Sequence, residues 1–463
     1  MLLVAAGCSR AFDPDVRTGS HLQLADGHPE MLYSAIAFID DANQPVIDLD
    51  IDVVYGSLIY RERDGVFTAG VEIQTEIYRM IDESDDEFER VEMFRESIDV
   101  KETTSNITDS RDTFSYHERI PVKPGRYRVL VQLTDRDSGK SIRRRTNVTV
   151  YDPESEMPSL THIKVHGYDQ KDRDLFPLTT YSIPGRVDTI RFEYQVTRPE
   201  GSDPLAVRMR LVKFESDTLP ARPMYVGSPS TDRGINYRVR DEIESQERIL
   251  EQETGTITIE YETKRPPRGN YRFEVEIAST GDNSDNTQFR ARDFSSMSSN
   301  FPYVINTREF AHPLVYLMRR NDHRDMMKIE NRDDLKREID RFWLSNLRDK
   351  DQASRVIEKY YQRVEQANKQ FSNFKEGWMT DMGMVYILFG PPWYVDQSLS
   401  TVVWIYGYNQ ADPERVFYFR RTRVDSDVHP FEHYTLRRGR QYHNVEYDQV
   451  QRWLSGAILT RPI

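Results

Sequence analysis

At 463 residues, with 38% hydrophobic and 30% charged side chains, the chain is too long for one ordinary domain and too wet for one large core. A formal net charge of −13 argues against gripping nucleic acid through the overall field, which would need a basic stripe. A single cysteine excludes a disulfide framework and a cysteine-based zinc site, and 11% aromatic residues argue against disorder.

The cysteine's position carries more than its number. Residues 1–8, "MLLVAAGC", run from apolar side chains through two Ala and Gly7 to Cys8. This resembles the lipobox of a bacterial lipoprotein signal, in which small residues admit a peptidase that cuts just before the cysteine. The thiol then carries diacylglycerol and the new amino terminus is acylated, an anchor worth about 0.8 kcal/mol per buried CH₂. Only seven residues precede Cys8, short of a full signal, so the expectation is a start lying upstream or trimmed. Ser9 after the cysteine leans toward outer-membrane sorting. No later stretch reaches 18 apolar residues.

Residues 9–30 are polar with scattered Gly and Pro and read as a tether. From residue 31 the pattern has period two. "VIDLDIDVVY" (46–55), "VEIQTEIY" (71–78) and "YRVLVQL" (127–133) alternate, with turn signals at Asp64-Gly65, Pro124-Gly125 and Ser138-Gly139. Arg143, Arg144 and Arg145 read as a strand start on a solvated face. The spacing predicts an antiparallel β-sandwich over 31–153. Pro153 and Pro158 bracket a linker, and a second sandwich over 159–305 repeats the style in "THIKVHGYD", "TIRFEYQV" and "GTITIEYET". "PGRYRVLVQL" (124–133) echoes "RGNYRFEVEI" (268–277). In each, Gly supplies the turn and Tyr127 or Tyr271 can pin the strand start, as in the tyrosine corner of immunoglobulin-like sandwiches. Asn106 and Asn147 lie in glycosylation sequons that a bacterial lipoprotein would leave idle.

Near residue 310 the period becomes helical. "NRDDLKREIDRFWLSNL" places Leu335, Ile339, Phe342, Trp343 and Leu347 on one face, with Asn331 as N-cap and Asp333 and Asp334 in the first turn. A second helix is expected from Ala353 to Phe371, then strands at "MVYILF" (384–389), "TVVWIYGY" (401–408), "RVFYFRR" (415–421) and "EHYTLRR" (432–438), and a closing helix in 446–459. The fold class is therefore multidomain: two tandem antiparallel immunoglobulin-like β-sandwiches followed by an α+β domain over 310–463.

The densest stretch of that domain is "GWMTDMGMVYILFGPP" (377–392). Gly377-Trp378-Met379-Thr380-Asp381, with Gly383, Gly390, Pro391, Pro392 and the upstream Phe342-Trp343, resembles the signature of GWxTD domain-containing proteins, a group of bacterial envelope proteins. The resemblance covers about residues 310–463. It implies a secreted or lipid-anchored protein with N-terminal β domains, and it supplies no catalytic residue.

Residue by residue, the motif has a structural reading. Gly377 ends a helix as a C′ residue with positive φ. Asp381 accepts backbone N–H groups two residues on while Gly383 takes the awkward φ, and Thr380 makes a similar local bond. Gly390-Pro391-Pro392 stops a buried strand. The competing reading makes Trp378, Thr380 and Asp381 a pocket, with Trp393, Trp404, Tyr386 and Tyr406 lining an aromatic groove for sugars or peptides.

Other chemistry is weaker. His429, His433 and His443 form the tightest histidine group, but Pro430 and the alternation of "HYTL" speak against a helical metal site. His162 and His166 read as surface residues of a strand. No nucleophile elbow, phosphate-binding loop or dinucleotide fingerprint occurs. The expectation is a lipid-anchored envelope protein acting as a non-enzymatic binding or scaffolding module for a protein partner or envelope polymer. It binds the membrane through Cys8, with no cofactor, no metal and no nucleic acid. An envelope hydrolase or carbohydrate-processing enzyme centred on Asp381, and an accessory subunit of a secretion machine, are the alternatives.

Overall fold

The computed structural model describes residues 11–12, 29–82, 87–103, 107, 113–169, 174–226, 234–251, 253–281, 287–347, 349–398, 400–407, 415–422 and 433–460. Cys8, most of the expected tether, Asn106 and His429 lie outside the described residues. β-Strand dominates in several sheets, and the helices gather toward the C-terminus.

The strands of the first unit are β1 (Met31–Ile39), β2 (Pro45–Val54), β3 (Val66–Asp82), β4 (Glu87–Glu102), β5 (Thr113–Pro121), β6 (Gly125–Asp135) and β7 (Ser141–Val150). One sheet runs β1-β2-β5 and the other β4-β3-β6-β7, every pairing antiparallel. Their inner faces share one apolar core. The alternation in β2 is the cause: Ile47, Leu49, Ile51 and Val53 point into that core and are fully buried. Asp48, Asp50 and Asp52 therefore point out of it.

The second unit repeats the pairing order. Its strands are β8 (Lys164–Asp169), β9 (Thr189–Arg198), β10 (Leu205–Ser216), β11 (Ile235–Leu250), β12 (Gly255–Lys264), β13 (Gly269–Ser279) and β14 (Gln288–Ser296). They pair as β8-β9-β12 and β11-β10-β13-β14 around a second core. The echoed tyrosines do the same work in both. Tyr127 donates its hydroxyl to Lys123 O at 2.7 Å and Tyr271 to Pro267 O at 2.6 Å, four residues upstream in each case.

The acidic face of β2 meets the second unit. Asp48 is ion-paired to Lys164 and, at 2.8 Å, to Arg119, while Asp52 accepts from Thr179 at 3.1 Å. Burial pushes the Asp48 carboxyl up, but the two cations outweigh it and hold it below its ordinary value. The Gln195 amide clasps Ile39, donating to its O and accepting from its N, both at 2.7 Å. His166 is half-buried at this junction rather than on the surface, and burial lowers its pKa to about 4.

The C-terminal part contains α1 (Thr307–Ala311), α2 (Arg320–Met326), α3 (Arg332–Asn346), α4 (Lys350–Phe371), α5 (Asp381–Phe389) and α6 (Tyr442–Ser455). A small antiparallel sheet runs β15 (Tyr394–Gln397), β16 (Thr401–Ile405), β17 (Val416–Arg421), β18 (Tyr434–Leu436). Asn331 caps α3 as expected, accepting from Asp333 N and Asp334 N. The expected strand at 384–389 is instead the body of α5. An apolar run of this length does not separate a buried strand from a buried helix. Here it lies between α4, β18 and α6, and every residue of α5 except Met382 is buried.

Candidate functional site

The motif builds both ends of α5. A 3-10 turn, Gly377–Met379, leads into Thr380, whose Oγ1 accepts from Gly383 N at 3.0 Å and donates to Gly377 O at 2.8 Å. Thr380 is thus the N-cap. Asp381 is not the capping residue that a turn would have made it. Its Oδ2 accepts from Leu436 N at 2.7 Å and from Arg438 Nη1 at 2.8 Å, and its Oδ1 accepts from Arg438 Nη2 at 2.5 Å. Both side chains are nearly closed to solvent, at 8% and 5% exposure. The carboxylate is held on all sides by donors.

The glycines act through space, not through φ. Neither Gly377 nor Gly383 has a positive φ, contrary to the turn reading. A Cβ on Gly377 would lie 1.8 Å from Ala367 O of α4, and one on Gly383 would lie 1.9 Å from Gly377 O. α4 ends earlier, at Phe371. Gly390 does take a positive φ, +85°, as the C-cap of α5, and a Cβ there would meet the Arg363 guanidinium.

The far end of α5 is closed by donors from two helices. Arg363 donates to Ile387 O at 3.1 Å and Leu388 O at 3.2 Å. Gln449 Nε2 and Trp453 Nε1 also donate to Leu388 O, at 2.7 and 3.0 Å. Burial lowers the Arg363 pKa to about 10, and the guanidinium sits 5.2 Å over the Trp453 ring. A buried helix needs such partners for its terminal carbonyls.

The aromatic groove of the competing reading does not form. Trp378, Trp404, Tyr386 and Tyr406 fill the core at 3% exposure or less, while Trp393 alone of the five stands at 53%. The Trp378 indole donates to Glu376 at 2.7 Å, and its carbonyl accepts from the Tyr316 hydroxyl at 2.6 Å. His433 is buried against Asn373, and His443 lies on α6, so the structure does not bring these two together as ligands. Among the described residues no group of His, Cys, Asp or Glu could hold a metal ion, and no helix is long and apolar enough to cross a membrane.

Two side chains connect the motif to a cavity. Asn368 Oδ1 accepts from Trp378 N at 3.1 Å, and Ser372 Oγ accepts from Gly377 N at 2.8 Å. Both also line a cavity of about 890 Å³ where the two β units meet the C-terminal part. Its other walls include Asp52, Thr179, Phe176 and Arg186 of the β units and Tyr303 of the C-terminal approach. The Arg186 guanidinium lies 4.4 Å over the Phe176 ring. Burial raises the Asp52 carboxyl, although Ser115 and Thr179 donate to it.

Residues 282–455 match the model of the GWxTD domain family. The chain is a GWxTD domain-containing protein. In the GWxTD domain, then, the signature is the N-terminal closure of a buried helix together with the wall behind a cavity. Arg438, Arg363 and Asn368 were missed by sequence reasoning. They lie outside the motif, and only the fold shows what they touch. The signal for α5 was present: a Thr cap, an acidic first turn, an apolar run and a Gly stop.

No curated protein shows significant similarity to the chain. Similar solved structures include the C-terminal domain of the Streptococcus pyogenes antigen I/II-family protein AspA, at 8% identity, covering 58% of this chain and 99% of that one. Salmonella alpha-2-macroglobulin reacted with methylamine matches at 12%, covering 59% and 17%, and CBD12 from CALX1.2 at 11%, covering 53% and 93%. Each has a TM-score of 0.17, too low to bear on fold or function.

Proposed function

We propose that this GWxTD protein is a lipid-anchored bacterial cell-envelope protein that binds or scaffolds rather than reacts. Its two β units are read as tandem immunoglobulin-like sandwiches. They hold the GWxTD domain over a partner protein or an envelope polymer. The observation that carries this reading is the state of Asp381, the motif's one acid. It is buried, bidentate to Arg438 and bonded to Leu436 N. A general acid or nucleophile needs a face open to substrate, and this carboxylate has none. The junction cavity, with hydroxyls, carboxylates, an exposed guanidinium and aromatic rings, supplies a place for ligand instead.

Two measurements test the proposal. Cys8→Ala should move the chain from the membrane to the soluble fraction, and unchanged membrane fractionation would refute the anchoring. Detergent-solubilised chain should co-sediment with isolated envelope polymer or elute with a stoichiometric partner, and Arg186→Glu at the cavity wall should reduce that retention. Hydrolysis of envelope glycan by the purified chain, abolished by Asp381→Asn without loss of folding, would sink the binding reading in favour of the hydrolase.

A further inference from the structure

The connection between β10 and β11 spans residues 217–234, whereas the equivalent connection between β3 and β4 spans only 83–86. Strands joined as a hairpin need no more than a few residues. The longer connection has a visible destination. Its described part, 217–226, lies along the GWxTD domain as a strap held mainly by its backbone, with a turn at Pro223–Val226 closed by Val226 N donating to Pro223 O at 3.3 Å.

The contacts follow one another along the strap. Lys375 Nζ donates to Leu219 O at 3.2 Å. Arg438 donates to Arg222 O at 3.2 Å and to Pro223 O at 3.3 Å. Met224 N donates to Glu446 Oε2 at 2.7 Å, and Met224 O accepts from Gly439 N at 3.2 Å. The Met224 side chain is fully buried in the GWxTD core. Its neighbours Arg222, Pro223 and Tyr225 are exposed, and Tyr225 packs edge-on against His443 with ring centroids 4.7 Å apart. One apolar anchor flanked by main-chain bonds is a pattern by which a groove takes a peptide segment.

The signature stands directly behind the residues that hold the strap. Arg438, which reads two strap carbonyls, is fixed by Asp381. Tyr316, whose hydroxyl bonds Trp378 O, also meets the Ala221 backbone. Trp378 and Asp381 are therefore positioning residues for the groove.

We infer that the GWxTD domain is a reader of short peptide segments: its groove takes a proline-containing turn with a methionine-type anchor from a partner protein, and residues 217–226 fill it in cis. This goes beyond the scaffolding proposal and holds whether or not the chain is lipid-anchored. It also gives the strap a role as competitor, so that partner binding requires its release.

The probe is a fluorescein-labelled synthetic peptide of residues 217–226, read by polarisation against the full chain, with the buried tryptophans reporting folding. The Met224→Gly chain, its strap loosened, should bind the peptide at least ~10-fold more tightly than the unaltered chain. Adding Glu446→Ala should remove that gain. A folded Met224→Gly chain that ignores the peptide overturns the inference, and so does equal binding to both chains. Should Met224→Gly not fold, hydrogen exchange decides with the unaltered chain. Excess peptide should speed exchange at the Met224 amide, and no change overturns the reading. A dimer of the unaltered chain that the peptide dissociates would assign the groove to a second copy and overturn the cis reading.

Discussion

Asp381 and Arg438 lend themselves to a double-mutant cycle, because the structure makes definite demands of it. Each side chain is over nine-tenths buried, and two hydrogen bonds join them. Removing one member strands the other's charge, at a cost of about 3–5 kcal/mol. Asp381→Ala also leaves Leu436 N without its acceptor, a loss of about 1–3 kcal/mol that overlaps the first. About 4 kcal/mol is therefore expected for Asp381→Ala and about as much for Arg438→Met. The double variant leaves neither charge, so it should cost no more than either single, giving a coupling of about 4 kcal/mol or more. Urea unfolding followed by tryptophan fluorescence is the assay. All five tryptophans (343, 378, 393, 404 and 453) lie in the C-terminal third, so the signal reports on the GWxTD domain. At a slope of about 2 kcal/mol per molar urea, each single variant should shift the midpoint by about 2 M. Single effects below about 1 kcal/mol that simply add would refute the reasoning, because they would mean that the pair is solvated and that Asp381 is free for other work.

Four further outcomes follow from the same geometry. Gly377→Ala, whose Cβ would clash with Ala367 O at 1.8 Å, should destabilise the GWxTD domain by more than about 3 kcal/mol in the same assay. Gly201→Ala, with φ +76° and open space, should cost only about 1 kcal/mol in a circular-dichroism melt. Tyr127→Phe and Tyr271→Phe should each cost about 1 kcal/mol in that melt, through loss of the bonds to Lys123 O and Pro267 O. Burial raises the Glu446 carboxyl to about 7 despite Met224 N, Arg438 and His443 beside it. Its folded pKa lies above its unfolded value, so the folded state holds the extra proton between about pH 4.5 and 7, and stability falls as pH rises through that window. Glu446→Gln should remove this component. The difference in urea midpoint between wild type and variant should therefore change between pH 5 and 7.5, and a constant difference would refute the assignment.

How much of this was legible in the sequence depends on the range of the interaction. Period-two alternation in "VIDLDIDVV" showed which side chains of β2 face a core, because a strand's pleat is a local property. The Gly-x-Tyr echo likewise marked two tyrosines that pin a strand start, and the structure shows each bonded to a carbonyl four residues upstream. The Asn331 cap was readable for the same reason. α5 was misread because its run is apolar on every side, and periodicity is silent about an element buried all round. The partners Asp381–Arg438 and Arg363–Leu388 lie far apart in the chain, and one sequence holds no trace of which distant residues will meet. Asp48, Asp50 and Asp52 show the same limit: their alternation was visible, but not that a second unit would cover them.

The motif's composition follows from what must converge at one end of one helix. A buried helix start exposes N–H groups that need an acceptor, and Thr380 provides it while also bonding Gly377 O. Gly377 and Gly383 are glycine because α4 and the turn pass within a Cβ's reach. Trp378 fills the core while its backbone N–H ties to Asn368 at the cavity and its carbonyl to Tyr316. Asp381 is not needed to cap the helix, since Thr380 already caps it. The buried acid at that position is matched by Leu436 N and by the bidentate Arg438, and Arg438 reaches beyond the domain to the carbonyls of Arg222 and Pro223. Thr380 closes the helix start and Gly377 lets α4 pass beside it, while Asp381 connects that helix through Arg438 to whatever lies in the groove.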